Sequence, residues 1–415
     1  MGRADERLSI AAAALAERRP AVTSSFRFHR PRGAVCGRGH CFSCEVTTPD
    51  GRRVLACLEP ADAAPRRRLD PLRPLGRLAE RWPPWFYERR FLRTPIVRQA
   101  SLDVLRRVNA AGRLGVAGPT RAPRAFERVE AETVVVGRAD DGDGDALVVD
   151  ASAGDVALGL YDDRVLGALH RGRLAEIRFE RLVLATGSYE RLPPIPGNDL
   201  PGVMGDGAFA RYARVLPRGA RVAVWGEGAR RARAEEIAAR EGLDVVWSGG
   251  VPPRRLLGRG RVERVEAEER VPCDVFVAAV RQPALELALQ AGAAVRLTDG
   301  ELPVLVLEDG PSWLDVRGSA AARSSGVPDV PADDAAFACL CEDVRVGDVR
   351  AAVAGGFAHP ELVKRRTGAM TGPCQGKLCS AAVLAILRDC AVDATPTTAR
   401  PLARAATLAE LAADA

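Results

Sequence analysis

The sequence predicts a multidomain α/β protein, with a Rossmann-like middle and a small cysteine-bearing module at each end. Three observations carry this reading. Ten cysteines fall into two groups of four at opposite ends of the chain, plus Cys273 and Cys390. Near the centre, Arg221-Val-Ala-Val-Trp-Gly226, Glu227 to Gly242 and Asp244-Val-Val-Trp247 read as strand, helix and strand, with enough chain for a parallel crossover. At 415 residues, the chain has the length of two to four domains.

Composition narrows the class. The mean hydropathy is close to zero, and no apolar stretch approaches the length that spans a bilayer. The net charge of +6 comes almost wholly from arginine, since Lys364 and Lys377 are the only lysines. The arginines are interleaved with acids and aromatics are few, so nucleic-acid binding is not expected. Clustered cysteines in a chain this long read as metal ligands rather than as a secreted disulfide framework. The short run Leu8 to Ala16 is mostly alanine and follows Asp5 and Glu6, which argues against a signal peptide. It is expected to be a helix packed on the first module. The expected compartment is the cytoplasm, with a peripheral place at the inner membrane left open.

The first quartet is Cys36, Cys41, Cys44 and Cys57, spaced C-x4-C-x2-C-x12-C. The first three match the plant-type [2Fe–2S] loop, and the fourth arrives on a separate strand, Arg53 to Cys57. Gly33, Gly37 and Gly39 suit a loop that must turn tightly and bring backbone amides near sulfur. Four cysteines also suit a structural zinc ion, which stays open as the alternative.

The quartet follows Thr23-Ser-Ser-Phe-Arg-Phe-His-Arg-Pro-Arg-Gly33. This run resembles the ferredoxin-like N-terminal module of the α-subunit family that includes heterotetrameric sarcosine oxidase, hydrogen cyanide synthase, opine oxidase and multisubunit proline dehydrogenase. The resemblance implies a β-grasp [2Fe–2S] module over about residues 1–64. The family's module opens with a β-hairpin, whereas this chain opens at the helix after it. The sheet is therefore expected to be incomplete, or completed by another segment. Residues 65–125 form a Pro- and Arg-rich connector arm, with aromatics at Trp82 to Tyr87 and a helix expected over Ile96 to Leu114.

The segment 126–335 resembles the family's FAD- and NAD-binding fold in degenerate form. Glu132-Thr-Val-Val-Val-Gly137 looks like the first strand of a flavin-binding unit. Only the short run Arg138 to Asp145 separates it from the next strand, Ala146 to Asp150. That is too short for the usual helical crossover, so a hairpin with an acidic tip is expected and the FAD cradle is expected to be lost. Ala185-Thr186-Gly187 resembles the family turn that borders the dinucleotide. In the second unit the turn Gly226-Glu-Gly228-Ala-Arg-Arg231 has arginine at the third glycine position, and no carboxylate closes the following strand. A partial glycine fingerprint is weak, and the sequence argues against NAD. Arg230, Arg231 and Arg233 read as a solvated helix face. The family's Gly-Asp that contacts flavin is replaced by Gly318-Ser319. The candidate nucleotide contacts are accordingly Thr186, Gly187, Gly226 and Gly228, with FAD doubtful. Cys273 reads as a buried core thiol.

The second quartet, Cys339, Cys341, Cys374 and Cys379, is spaced C-x-C-x32-C-x4-C. It resembles the bacterioferritin-associated ferredoxin type of small helical [2Fe–2S] domain, expected over 336–392. Helices are expected over Val346 to Ala354, Pro360 to Arg366 and Ala381 to Leu387. Zinc remains the alternative here too, and Cys390 reads as a spectator. Residues 393–415 match the family's extended tail. The folate-binding domain that follows in sarcosine oxidase α subunits is not expected in this polypeptide.

No nucleophile triad and no acid–base pair stands out, and none of the four histidines has a metal-ligand partner at helical spacing. The resemblance therefore implies an electron-transfer subunit with two [2Fe–2S] clusters. Its partner would be a flavoprotein subunit of the amine or amino-acid oxidase kind that carries out substrate oxidation. Two alternatives stay open: a chain that retains its own FAD, and a zinc-bearing assembly scaffold.

Overall fold

The computed structural model describes residues 8–25, 27–63, 127–161, 164–298, 305–318 and 333–404. The expected connector helix and the aromatic run at 82–87 lie outside these residues, as do Ser319 and the end of the tail.

The first module begins with α1 (Ile10–Ala16), as the alanine-rich run predicts. Ser9 caps it by accepting from the Ala12 amide at 3.2 Å. Its buried face, Ile10, Ala11, Ala12 and Leu15, packs inward, and the Ala11 amide donates to the Ala56 carbonyl at 2.8 Å. Two antiparallel ribbons follow: β1 (Thr23–Ser24) with β2 (Pro31–Arg32), and β3 (Glu45–Thr47) with β4 (Arg53–Leu55). The second ribbon returns the chain from Cys44 to Cys57.

The middle is built on two sheets. In the first, β5 (Glu127–Gly137), β6 (Leu147–Val149), β7 (Val156–Tyr161), β8 (Val165–His170) and β9 (Arg173–Ala185) lie in the order β6-β5-β9-β8-β7. The long β9 changes neighbours along one edge. Its first half pairs antiparallel with β8, and Leu182 to Leu184 pair parallel with β21 (Leu314–Val316). Val134, Val135, Leu182 and Leu184 are all buried, the continuous apolar run expected of strands covered on both faces.

The hairpin expected after β5 does not form. β5 and β6 are parallel, with Val134 opposite Leu147 and Val136 opposite Val149. The crossover rule assumes strands of ordinary length. β6 overlaps β5 by only three residues, so the connection must travel back only about 10 Å at roughly 3.3 Å per residue. A 3-10 turn, Asp141–Asp143, stands where a helix would be. The pairing is that of a Rossmann unit with its first helix removed.

After β10 (Ser188–Glu190), the second sheet runs β11-β17-β12-β13, all parallel. It comprises β11 (Val203–Gly205), β12 (Arg221–Gly226), β13 (Asp244–Gly249) and β17 (Val275–Ala279). Helix α2 (Asp206–Tyr212) follows β11, and α3 (Gly228–Arg240) makes the expected crossover from β12 to β13. A three-stranded antiparallel sheet, β14 (Arg255–Leu257), β15 (Arg264–Glu266) and β16 (Arg270–Pro272), covers one end. Then β18 (Arg281–Pro283) pairs with β10, α4 (Glu286–Gln290) follows, and β19 (Ala294–Leu297) pairs with β20 (Leu305–Asp309). Cys273 is fully buried, and burial pushes its thiol up to about 12, as a core cysteine requires.

The last module is a ribbon, β22 (Phe337–Cys339) with β23 (Val344–Arg345), and three helices: α5 (Val346–Ala354), α6 (Pro360–Thr367) and α7 (Ser380–Asp389). All three lie where apolar spacing predicts, to within a few residues. Proline opens α6 behind a His359 cap, and Gly368 closes it in the left-handed region, φ +83°. One apolar cluster runs without a break from β5 and β9 through α4 into α5 and α7, so the last module shares its core with the first sheet.

Candidate metal centres

Each quartet must draw four sulfurs together from separate segments. In the first, the loop after β2 carries Cys36, Cys41 and Cys44, and the β3–β4 ribbon delivers Cys57; the Ala56 amide donates to the Cys44 carbonyl at 3.0 Å. All four cysteines are free and at most 1% exposed. Cys36 is in hydrogen-bond contact with Cys41 and Cys57, and Cys57 with Cys44. Gly37 lies at φ +65°, and a Cβ there would stand 3.1 Å from the Ala208 Cα on α2. The glycine thus lets the loop lie directly on the second sheet's helix.

The second quartet closes the same way. Cys341 Sγ lies 3.6 Å from Cys339 Sγ and 3.4 Å from Cys374 Sγ. Cys379 is in hydrogen-bond contact with both Cys339 and Cys374, which completes a ring of four. These separations are far beyond a disulfide bond. A Cβ on Gly372 would stand 2.5 Å from Cys341 Sγ, so only glycine allows the backbone this close to the sulfur.

Backbone amides point at the sulfurs in both places. The Arg38 amide donates to Cys36 Sγ at 3.4 Å, and the Ser43 amide donates to Cys41. In the second quartet the Met370 amide serves Cys339, and the Gly376 and Leu378 amides serve Cys374. Neighbouring thiols hold Cys36, Cys339 and Cys374 low, outweighing burial, while Cys41, Cys57, Cys341 and Cys379 are pushed up by those same partners. Among the described residues no group of three or more His, Cys, Asp or Glu has the geometry of a single-ion site. The quartets are recognised by their sulfur contacts instead. Buried thiols, amides directed at sulfur and a glycine against Cys341 suit an anionic iron–sulfur centre.

The two quartets adjoin one another. Cys36 and Cys41 belong to one apolar cluster with Phe28, Val35, Phe337, Leu340 and Leu378, and these last three residues flank the second quartet in sequence. A buried ion network locks this contact. Arg32 reaches Asp199 on one side and Asp343, two residues past Cys341, on the other. Asp343 also accepts from the Arg27 and Phe28 amides at 2.9 and 3.0 Å. The run ending in Gly33 therefore fastens three parts of the chain together.

A second bridge passes through Tyr189. Its ring centroid lies 4.9 Å from that of His40 and 5.8 Å from Lys377 Nζ, and its hydroxyl donates to Glu286 at 3.1 Å. Burial, then Glu286, pushes that hydroxyl well above its ordinary range. His40 sits between Cys36 and Glu190: it is in hydrogen-bond contact with the thiol, and its Nε2 is 2.7 Å from Glu190 Oε2. The two groups are thus in direct polar contact. Burial lowers the charged ring's stability, yet Cys36 and Glu190 together raise His40 to about 9. Glu190, fully buried, also pairs with Arg281 at 3.2 Å, and Arg281 with Asp206 at 2.7 Å. Spacing in the sequence signals none of these charged partners. The one local signal that could have found any of them is the position of Asp343 two residues past the Cys-x-Cys.

The four candidate nucleotide residues stand at the ends of two different sheets. Thr186 and Gly187 follow β9, where the Thr186 hydroxyl donates to the Ala284 carbonyl at 3.0 Å and the Ala284 amide to the Gly187 carbonyl at 3.1 Å. Gly226 ends β12, and Gly228 opens α3 at φ +55°. On that helix Arg230 and Arg231 are engaged by Asp206 and Glu235, at 3.4 and 3.6 Å. At the turn after β5, Asp143 accepts from Arg317 at 2.6 Å. A carboxylate–guanidinium pair thus joins the ends of β5 and β21.

Comparisons with known proteins bear on both ends. Residues 3–64 match the family described as a 2Fe-2S iron-sulfur cluster binding domain, and residues 333–415 match the sarcosine oxidase A3 domain. One of the subunits of opine oxidase from Rhizobium meliloti is 39% identical over 83 residues, 19% of this chain and 18% of that protein. The matched stretch is thus under a fifth of that curated relative's length. The crystal structure of L-proline dehydrogenase from P. horikoshii superposes with a TM-score of 0.65 at 17% identity, covering 97% of this chain and 94% of that one. The likeness supports the fold, a mixed α/β multidomain architecture, along nearly the whole chain. The two cysteine modules are thus similar to a 2Fe-2S cluster binding domain and to the sarcosine oxidase A3 domain, a combination that supports a sarcosine-oxidase-α-like chain.

Proposed function

We propose that this chain is the electron-transfer subunit of a multisubunit flavin-dependent amine or amino-acid dehydrogenase or oxidase. Cys36, Cys41, Cys44 and Cys57 would hold one [2Fe–2S] cluster, and Cys339, Cys341, Cys374 and Cys379 a second. The observation that carries this reading is the adjacency of the quartets: Cys36 and Cys41 share an apolar cluster with Phe337, Leu340 and Leu378, which flank the free thiols of the second quartet. When bound, such clusters supply one-electron steps, which suits a two-electron flavin donor in a partner subunit. The chain's own residues do the rest. The amides of Arg38, Ser43, Met370, Gly376 and Leu378 stabilise negative charge on sulfur, Phe28, Phe337, Leu340 and Leu378 exclude water between the rings, and Arg32 fixes their separation.

The same reading assigns 1–64 to a β-grasp ferredoxin-like module and 65–125 to a connector arm. It gives 126–335 to a degenerate FAD- and NAD-binding-like domain, 336–392 to a helical [2Fe–2S] domain and 393–415 to a tail. Both named relatives are oxidoreductases, one from an opine oxidase and the other a proline dehydrogenase, and the substrate class proposed here follows theirs. Free thiols throughout suit a reducing compartment such as the cytoplasm. Among the described residues no helix is long and apolar enough to cross a membrane.

Anaerobic purification with co-purifying subunits tests the proposal. Addition of an amine or amino-acid substrate is expected to bleach the visible bands of both clusters, with the releasable flavin residing in the partner. Stoichiometric FAD released from this chain would instead support a chain that keeps its own flavin, and zinc without colour would support a scaffold.

A further inference from the structure

One buried constellation is not accounted for by holding the clusters in place. His40 sits inside the Cys36–Cys41 loop, with its side chain 15% exposed. One side of its ring meets the Cys36 sulfur, and its Nε2 meets Glu190 Oε2. Glu190 comes from the middle of the chain, on β10, and is fully buried. It is fixed there by Arg281, itself anchored to Asp206. The fit is tight: a Cβ on Gly205 would lie 2.0 Å from Glu190 Cγ, and one on Gly207 would lie 2.3 Å from an Arg281 guanidinium nitrogen. The backbone of the β11–α2 corner is thus glycine where these two side chains pass. Such a network imposes desolvation on two carboxylates and a guanidinium, and what it holds in place at its far end is a single imidazole against a cysteine sulfur.

We propose that His40 is the side-chain hydrogen-bond donor to the N-terminal centre, setting its reduction potential, and that Glu190, held by Arg281, is the positioning residue that fixes the ring. The inference rests on the iron–sulfur reading given above. Its physical basis is that a donor at a ligand sulfur stabilises the form carrying more negative charge, which is the reduced one. Among the described residues, the donors to the cysteines of the second quartet are backbone amides and neighbouring thiols, with no imidazole among them. The two centres therefore differ in potential, and the N-terminal one is raised by His40.

The test uses the full chain, isolated anaerobically with its iron and sulfide and titrated electrochemically with detection by electron paramagnetic resonance. The wild type is expected to show two one-electron waves. His40→Leu removes the donor and is expected to move one wave about tenfold toward the oxidised form, or 59 mV lower, and to leave the other unmoved. His40→Asn keeps an amide able to reach Cys36 and is expected to shift that wave less. Glu190→Ala is expected to shift the same wave in the same direction, and Glu190→Gln to restore most of it. A wild type with two waves, and a His40→Leu protein with full iron and both waves unmoved, overturns the inference. If His40→Leu does not fold, an unmoved wave in Glu190→Ala overturns it equally. A wild type without iron or sulfide overturns the underlying reading instead.

Discussion

Arg32 and Asp343 lie 311 positions apart in the chain and form an ion pair in which neither side chain is more than 3% exposed. Asp199 closes the other side of the same guanidinium. The planar fork of arginine allows one side chain to satisfy two carboxylates at once, which a point-charge ammonium does not. Removing one member of a buried pair leaves uncompensated charge and costs about 3–5 kcal/mol. Arg32→Met is therefore expected to destabilise the chain by that order in urea unfolding, and Arg32→Lys to recover only part. An unchanged midpoint in Arg32→Met would show that the clamp is not structural.

Acid is expected to act on this clamp late. Burial alone would raise the Asp199 carboxyl, but Arg32 and Arg30 outweigh it and hold it below the ordinary carboxylate range. A carboxylate depressed in the folded state stabilises fully above its unfolded value, about 3.9. The contribution is lost as pH falls through the lower folded value. Asp199→Asn is therefore expected to narrow the stability difference from wild type only below about pH 4, the difference being constant above it. A difference that already shrinks between pH 7 and 5 would contradict the assignment.

Gly372 offers a local test at the second quartet. Gly372→Ala would put a methyl 2.5 Å from the Cys341 sulfur, a separation that real side chains do not show. Iron content is expected to fall by about half, with the N-terminal centre's signal retained. Full iron in the alanine variant would mean that the loop does not approach the Cys341 sulfur this closely.

Much of this was legible in the sequence, for physical reasons that differ by element. The quartets could be found because cysteines grouped on tight loops keep short, recognisable spacings. The last-module helices α5, α6 and α7 could be found because apolar periodicity and caps are local signals. The parallel pairing of β5 with β6 was missed, because the crossover rule presumes long strands and β6 overlaps its partner by three residues. The clamp and the His40–Glu190 pair were invisible for a different reason: their partners are 150 or more positions away in the chain, and no periodicity couples them.

The turn after β5 bears on flavin. Asp143 and Arg317 pair across the strand ends where the family resemblance places a dinucleotide cradle, and the turn carries a further carboxylate at Asp140. A pyrophosphate would have to displace an existing anion from that arginine. Added FAD is expected to leave the melting temperature of the isolated chain unchanged. A saturable rise would show a flavin site.

The central claim is that both quartets hold diiron clusters, and metal analysis addresses it most directly. The anaerobically purified full chain is expected to contain iron and acid-labile sulfide in equal amounts, about four of each per chain for two [2Fe–2S] clusters, with a red-brown colour. Zinc at one or two per chain, with no sulfide and no visible absorption, would contradict it.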